Sequence, residues 1–228
     1  MTTLKEKDLY PSMELWVESK FECFDTATNT GTEYGRVDVL GLRQTPGDHS
    51  SDTDLICIEV KRGTQPFLNA LGQALGYSIY GNYCYLADYR PKDPYSDIER
   101  GIAEQLGVGL IRIQDISNIE LISTARRCAP IENFKLKIAD QMGFVRCTIC
   151  ATFFPRSRNN KGKYDWDLLQ KDTNKIEKMI SSVNDGKGLV FWPKDASKND
   201  KSHNLRHSDD LNYNRRFMCN TCSNLFFY

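Results

Sequence analysis

The sequence predicts an α/β protein: a mixed sheet flanked by helices, followed by a small zinc-bound C-terminal domain. Three observations lead there. Strand-length apolar runs alternate with helical stretches through the first part of the chain. The charge is uneven, with net −6 over residues 1–130 and net +6 over residues 131–228 in a chain that is neutral as a whole. The cysteines divide the same way: Cys23, Cys57, Cys84 and Cys128 stand singly, whereas Cys147, Cys150, Cys219 and Cys222 form two CxxC pairs. Two domains follow, 1–130 and 131–228, meeting near Ala129-Pro130.

The 228 residues, 40% hydrophobic and 26% charged, argue against wholesale disorder and suffice to bury a core without disulfides. No stretch of ~18 strongly apolar residues argues for a membrane span. The uncharged run Gly63 to Ala87 carries Gln65, Pro66, Asn69, Gln73 and Asn82, which suits a buried helix and strand. The opening MTTLKEKDLY has no apolar signal core, so a cytoplasmic location with reduced thiols and no membrane partner is expected.

Pro11 fits a first helical turn, and Met13, Leu15, Trp16 and Val17 give that helix an apolar face to about Lys20. A short extended stretch, Phe21 to Thr26, comes next. Gly35 to Leu42 and Leu55 to Lys61 then read as a hairpin, joined by the turn-rich Arg43 to Asp54. Pro66 opens a helix to about Tyr80, and Tyr83 to Ala87 is a strand. A helix at Ser96 to Leu106 and strands at Gly109 to Gln114 and Ile119 to Ser123 complete the domain. The order is helix, three strands, helix, strand, helix, strand, with a last short strand.

Asp38 lies within VDVL and Glu59 within ICIEVK. Alternation puts Glu59 and Lys61 on one face, opposite Ile58 and Val60. Charges inside apolar strands are costly unless paired or bound to a metal. A buried Glu–Lys ion pair that fixes register is one reading. In the other, hairpin pairing brings Asp38 beside Glu59, and two carboxylates with a backbone carbonyl make a hard-oxygen site for Mg²⁺ (or Mn²⁺). A bound water then serves as nucleophile, and Lys61 orients it or offsets developing negative charge.

The pattern Asp38…Glu59-Val60-Lys61, with Glu59 21 residues after Asp38, resembles the PD-(D/E)xK nuclease superfamily. The resemblance covers about Leu9 to Ser123 and departs from the motif at Val37, where the family often has Pro. It implies a restriction-endonuclease-like sheet, metal binding by Asp38 and Glu59, and assistance to the attacking water by Lys61. It also implies that Glu14, on the first helix, completes the metal site, although a solvated helix face, with Glu18 as substitute, explains Glu14 equally. Gln73 in LGQALGY occupies the place of a Gln that members carry after the Lys strand, with Tyr77 one turn later on the same face; a core Gln satisfied by backbone is the alternative. Arg36 and Arg62 flank the motif as phosphate contacts or ordinary surface charges.

In the second domain, Phe144 to Cys150 and Phe217 to Cys222 each run strand-like into CxxC. Two such pairs predict a structural Cys₄ zinc site of Cys147, Cys150, Cys219 and Cys222; His203 and His207 with Cys147 and Cys150 are the alternative. The 68 residues between the pairs exceed a compact ribbon's spacing, so they need structure of their own: a helix at Asp165 to Val183 and a strand at Gly188 to Trp192. Arg156, Arg158, Lys161 and Lys163 are interleaved with Phe153, Phe154, Tyr164 and Trp166, a mixture suited to nucleic acid.

The expected activity is a Mg²⁺-dependent endonuclease acting on DNA in restriction, defence or repair. Duplex cleavage normally needs two active sites, so a homodimer is expected. The alternatives are a non-catalytic nucleic-acid-binding protein on the same scaffold, and an interaction scaffold in which zinc and the ion pair only stabilise the fold.

Overall fold

The structure, a computed structural model, describes residues 4–45, 53–146, 151, 153–155, 189–191 and 216–218. The chain divides into two compact units, the first Met1–Thr45 with Thr53–Ile138, the second Pro46–Asp52 with Ala139–Tyr228.

In the first unit a 3-10 turn, Glu6–Asp8, leads into helix α1, Tyr10–Phe21, with Pro11 in its opening turn. The helix stops at Glu22, where φ of 55° turns the chain left-handed. Among the described residues, six strands then form one sheet in chain order: β1 (Asp25–Thr32), β2 (Gly35–Gln44), β3 (Thr53–Lys61), β4 (Tyr83–Tyr89), β5 (Gly109–Asp115) and β6 (Asn118–Ser123). The pairs β1–β2, β2–β3 and β5–β6 are antiparallel, and β3–β4 and β4–β5 are parallel. Parallel neighbours need crossovers, supplied by α2 (Phe67–Gly76) and α3 (Asp97–Leu106). Helix α3 is capped by its own sequence: Ser96 Oγ accepts from the Glu99 N–H, the Glu99 carboxylate accepts from the Ser96 N–H, and Gly107 closes the helix at φ 76°. The molecule is thus α/β, a mixed sheet with helices on its faces.

Every residue of β3 is buried, as a central strand covered on both faces must be. Its alternation sorts the two cores. Ile56, Ile58 and Val60 pack with Met13, Val17 and Phe21 of α1. On the other face, Ala70, Leu71 and Ala74 of α2 and Ala103 of α3 cover Leu86 and Leu110.

Two elements differ from the sequence expectation. The first strand is Asp25–Thr32, not Phe21 to Thr26, because Phe21 stays on α1 with its ring against Tyr85 at 4.9 Å. The strand, DTATNTGT, has no fully buried residue, and a polar edge strand carries no alternation to read. A further helix, α4 (Glu132–Gln141), follows the sheet, just past the expected domain boundary at Ala129-Pro130, where the sequence reading assigns no element.

In the second unit, β7 (Phe144–Arg146) pairs with β8 (Phe153–Pro155), and β9 (Leu189–Phe191) with β10 (Arg216–Met218), both antiparallel. Strands β7 and β10 end one residue before Cys147 and Cys219. All four CxxC cysteines, His203, His207, the helix expected at 165–183, and Arg156, Arg158, Lys161 and Lys163 lie outside the described residues. Among the described residues no helix is long and apolar enough to cross a membrane.

Truncating a residue shared by α1 and the sheet leaves a cavity that close-packed neighbours fill only in part. Ile58→Ala should therefore lower stability by about 2–5 kcal/mol, read from urea unfolding. Gly109→Ala should also destabilise, since the added Cβ would stand 2.3 Å from the Tyr85 ring and 2.7 Å from the Ala125 nitrogen.

Candidate functional site

The site begins where two strands part. The β2–β3 ladder runs from Gln44↔Thr53 to Val39↔Ile58 and stops. One step further sets Asp38 across from Glu59. Beyond this point β2 pairs only with β1, and β3 only with β4. Val39 and Ile58 belong to the core under α1, so Asp38 and Glu59 point to the opposite face, the side of α2.

The edge strand is irregular at the same level. Its pairing with β2 skips from Thr28↔Val39 to Thr30↔Val37. The residue passed over, Asn29, has a left-handed φ of 52°, tolerated by Asn better than by most side chains. Asn29 and Asp38 face each other across this gap.

Asp38 is half-buried and held at both oxygens. Tyr10, in the first turn of α1, donates its hydroxyl to Oδ1 at 2.5 Å, and the Val60 N–H donates to Oδ2 at 2.9 Å. The second bond replaces a ladder bond lost as the strands part, so a side chain ties β2 to β3 at their fork. Burial first, and the hydrogen bond to Asp38 second, push the Tyr10 hydroxyl far above the ordinary tyrosine range. It is a fixed donor.

Glu59, 4% exposed, meets the Lys61 ammonium at Oε1 and the Tyr77 hydroxyl at Oε2. Tyr77, in the turn after α2, also lies 2.7 Å from the Arg36 carbonyl. A phenol has one proton to donate. Ionised Glu59 claims it; protonated Glu59 donates instead to Tyr77, whose proton then goes to Arg36. Burial raises the Glu59 pKa and the nearby Asp38 raises it further, outweighing the help of Lys61 and Tyr77. Burial works against the Lys61 ammonium, but its bond to Glu59 and the charges of Glu59, Glu6 and Asp38 hold its pKa above the ordinary value. Glu6 Oε2 lies 3.9 Å from Lys61 Nζ. The cluster therefore carries three carboxyl groups around one buried ammonium, with negative charge in surplus.

Asp38, Glu59, Gln73, Tyr77, Arg36 and their neighbours line a cleft of ≈ 420 Å³. Of the residues singled out from sequence, the structure brings Asp38, Glu59, Gln73 and Arg36 to this cleft, with Lys61 bonded to Glu59 beside it. Glu14 is elsewhere: burial and then the nearby Asp25 raise its pKa, and Asp25 pairs with Leu42, at the far end of β2 from Asp38. The N-terminal groups at the cluster are Glu6 and Tyr10. Arg62 is turned to the Leu4 carbonyl, 3.2 Å away. Sequence reasoning missed Glu6 and Tyr10 because their partners lie tens of residues away. It also missed Asp88, which stands beside Lys61 in the β3–β4 register. Asp88 accepts from the Gly63 N–H at 2.6 Å and from Arg90 Nε at 2.9 Å, while Arg90 grips Glu99 with both terminal nitrogens. This network fixes the carboxyl ends of β3 and β4, where open α/β sheets place their ligands.

Among the described residues, no group of three or more His, Cys, Asp or Glu side chains gathers around a metal position. Asp38 and Glu59 alone supply two carboxylates. Each of their four oxygens takes one donor and keeps a second lone pair. No protein-family model matches this chain, and no curated protein matches it.

A carboxyl group with a raised native pKa contributes most while protonated. Its contribution is fully present below the unfolded glutamate value of about 4.3 and is lost as pH rises through the native value. In metal-free protein, stability should fall across that window, and Glu59→Gln should flatten the fall; urea midpoints as a function of pH measure it. Asp38→Asn should lower the Glu59 pKa, read by carbon NMR of labelled glutamate.

Proposed function

We propose that this chain is a divalent-metal-dependent endonuclease that hydrolyses phosphodiester bonds in nucleic acid, with DNA as the expected substrate, on a PD-(D/E)xK scaffold. The observation that carries this reading is the fork of β2 and β3, which sets Asp38 opposite Glu59 on one face, in one cleft, beside the buried Lys61. Like charges directly across a strand pair are destabilising. A protein selected only for stability has no use for them.

The donor set fits Mg²⁺ or Mn²⁺. Asp38 and Glu59 are hard oxygen ligands, two carboxylates leave places for waters and a phosphate, and a dication would offset both influences that raise the Glu59 pKa, burial first and the Asp38 charge second. Such a cation supplies charge to the phosphate and acidifies a bound water. The chain's own groups do the rest. Tyr10 and the Val60 N–H fix the Asp38 carboxylate, so its orientation needs no reorganisation when substrate arrives. Glu59 aims Lys61, whose ammonium stays charged and meets negative charge developing on the phosphate. Gln73, on α2, offers its amide to the water or to a phosphate oxygen, and Arg36, exposed at the rim, meets the strand.

For the second unit we propose a structural zinc held by Cys147, Cys150, Cys219 and Cys222, with Arg156, Arg158, Lys161 and Lys163 binding the polyanion; a homodimer would supply two sites for duplex cleavage. Restriction, defence and repair are all compatible roles. One observation favours a non-catalytic binder instead: every oxygen of Asp38 and Glu59 already receives a donor.

Mutation separates the two readings. With Mg²⁺ or Mn²⁺ and a panel of duplex, single-stranded and branched substrates, Asp38→Ala, Glu59→Ala and Lys61→Ala should each cut at least ~100-fold more slowly than wild type, while salt-sensitive binding persists. Binding by wild type without turnover on any substrate selects the binder. Metal analysis should find zinc in the purified chain, and Cys219→Ser or a strong chelator should release it and unfold the second unit.

A further inference from the structure

Three features of the cleft bear on what kind of strand it admits. The first is its α2 wall. Gly72 and Gly76 stand one turn apart on the helix and line the cleft, and a Cβ added to either meets nothing within 4 Å. Glycine inside a helix is unfavourable, and no neighbour requires it at these two positions. The wall is bare backbone open to whatever enters.

The second is the aromatic at the rim. Tyr34 occupies the β1–β2 turn, lines the cleft and is 66% exposed. Hairpin tips are ordinarily loose, but this one is held from several sides. The Tyr80 hydroxyl bonds Thr32 Oγ1 at 2.9 Å, Tyr77 lies 2.7 Å from the Arg36 carbonyl, and Lys137 meets Glu33 at 3.0 Å. The ring itself rests against Phe134, with centroids 5.2 Å apart. An exposed aromatic fixed in place beside a pair of carboxylates is preorganised for stacking.

The third is size. A cleft of ≈ 420 Å³ is on the scale of a small-molecule pocket and has room for about one nucleotide. A base paired within a duplex is stacked between its neighbours and has no free face to lay on Tyr34. An unpaired base has one, and Tyr34 lines the same cleft as Asp38 and Glu59.

We propose, building on the nuclease reading, that the substrate is single-stranded nucleic acid and that Tyr34 is the platform on which the base beside the scissile phosphate stacks. Arg36, exposed next to it, contacts the neighbouring phosphate, and the glycine wall of α2 gives the strand room to pass. Stacking reads no particular base, so the preference is for strandedness and not for sequence.

The test uses the full chain with Ca²⁺, and fluorescein-labelled oligothymidylate against a duplex of equal length, by anisotropy. Wild type should bind the single strand at least ~10-fold tighter than the duplex, and Tyr34→Ala should weaken single-strand binding by ~10-fold or more. Tyr34→Phe, which keeps the ring and its contact with Phe134, should retain it, and both variants should still unfold cooperatively, since Tyr34→Ala removes only that one contact at the surface. Equal or tighter duplex binding, no single-strand binding, or unchanged binding by Tyr34→Ala overturns the platform. A parallel cleavage assay with Mn²⁺ keeps the two readings apart. Tyr34-dependent single-strand binding with no cleavage supports the platform while removing the nuclease. Duplex cleavage that Tyr34→Ala leaves intact removes the platform while keeping the nuclease.

Discussion

Two carboxylates set across from each other, at the point where β2 leaves β3, are the constraint around which the first unit is arranged. Separating the strands costs ladder bonds, and the Asp38 carboxylate recovers one of them from the Val60 N–H. The same side chain takes the Tyr10 hydroxyl, so the start of α1, the β2 strand and the β3 strand meet at one group. Glu59 gathers Lys61 and Tyr77 in turn, adding the end of α2. Buried charge is tolerated here because each oxygen has a donor, yet the sum remains negative. That imbalance is the chemical character of the cleft.

The surrounding fold is built to hold this geometry still. Strand β3 is buried throughout, with α1 on one face and α2 on the other, so neither Glu59 nor Lys61 can turn away without breaking a core. The Asp88–Arg90–Glu99 network fastens the adjoining strand ends. The β1–β2 turn, which forms the outer wall, is tied down by the Tyr80 hydroxyl at Thr32 and by Lys137 at Glu33. Rigid elements thus position each group in the cleft, which is the arrangement a preorganised polar site requires.

Much of this was legible along the chain. The hairpin of Gly35 to Leu42 with Leu55 to Lys61 was readable because its strands are apolar runs interrupted only by Asp38, Glu59 and their flanking basic residues. Lys61 beside Glu59 followed from period-two alternation. The first strand was misplaced because Asp25–Thr32 is polar and sits on an edge. Glu14 is a candidate only through the resemblance, with Glu18 as its substitute; Glu6 and Tyr10 carry no sequence signal because which strand end the start of α1 meets is decided by tertiary packing. The CxxC pairs lie outside the described residues, and β7 and β10 run up to Cys147 and Cys219.

By itself the sequence determined the α1, β2, β3, α2, β4, α3, β5 and β6 elements, the mixed α/β class, and the presence of unusual charges inside apolar strands. These are local properties, fixed by periodicity, capping and the cost of burying charge. Only the tertiary structure decided that the β2–β3 ladder stops at Val39, that a hydroxyl 28 residues upstream reaches Asp38, and that a fixed tyrosine overlooks the cleft. Those outcomes depend on register and on packing between distant segments. Such pairings cost chain entropy to form and leave no periodic mark on the residues that make them.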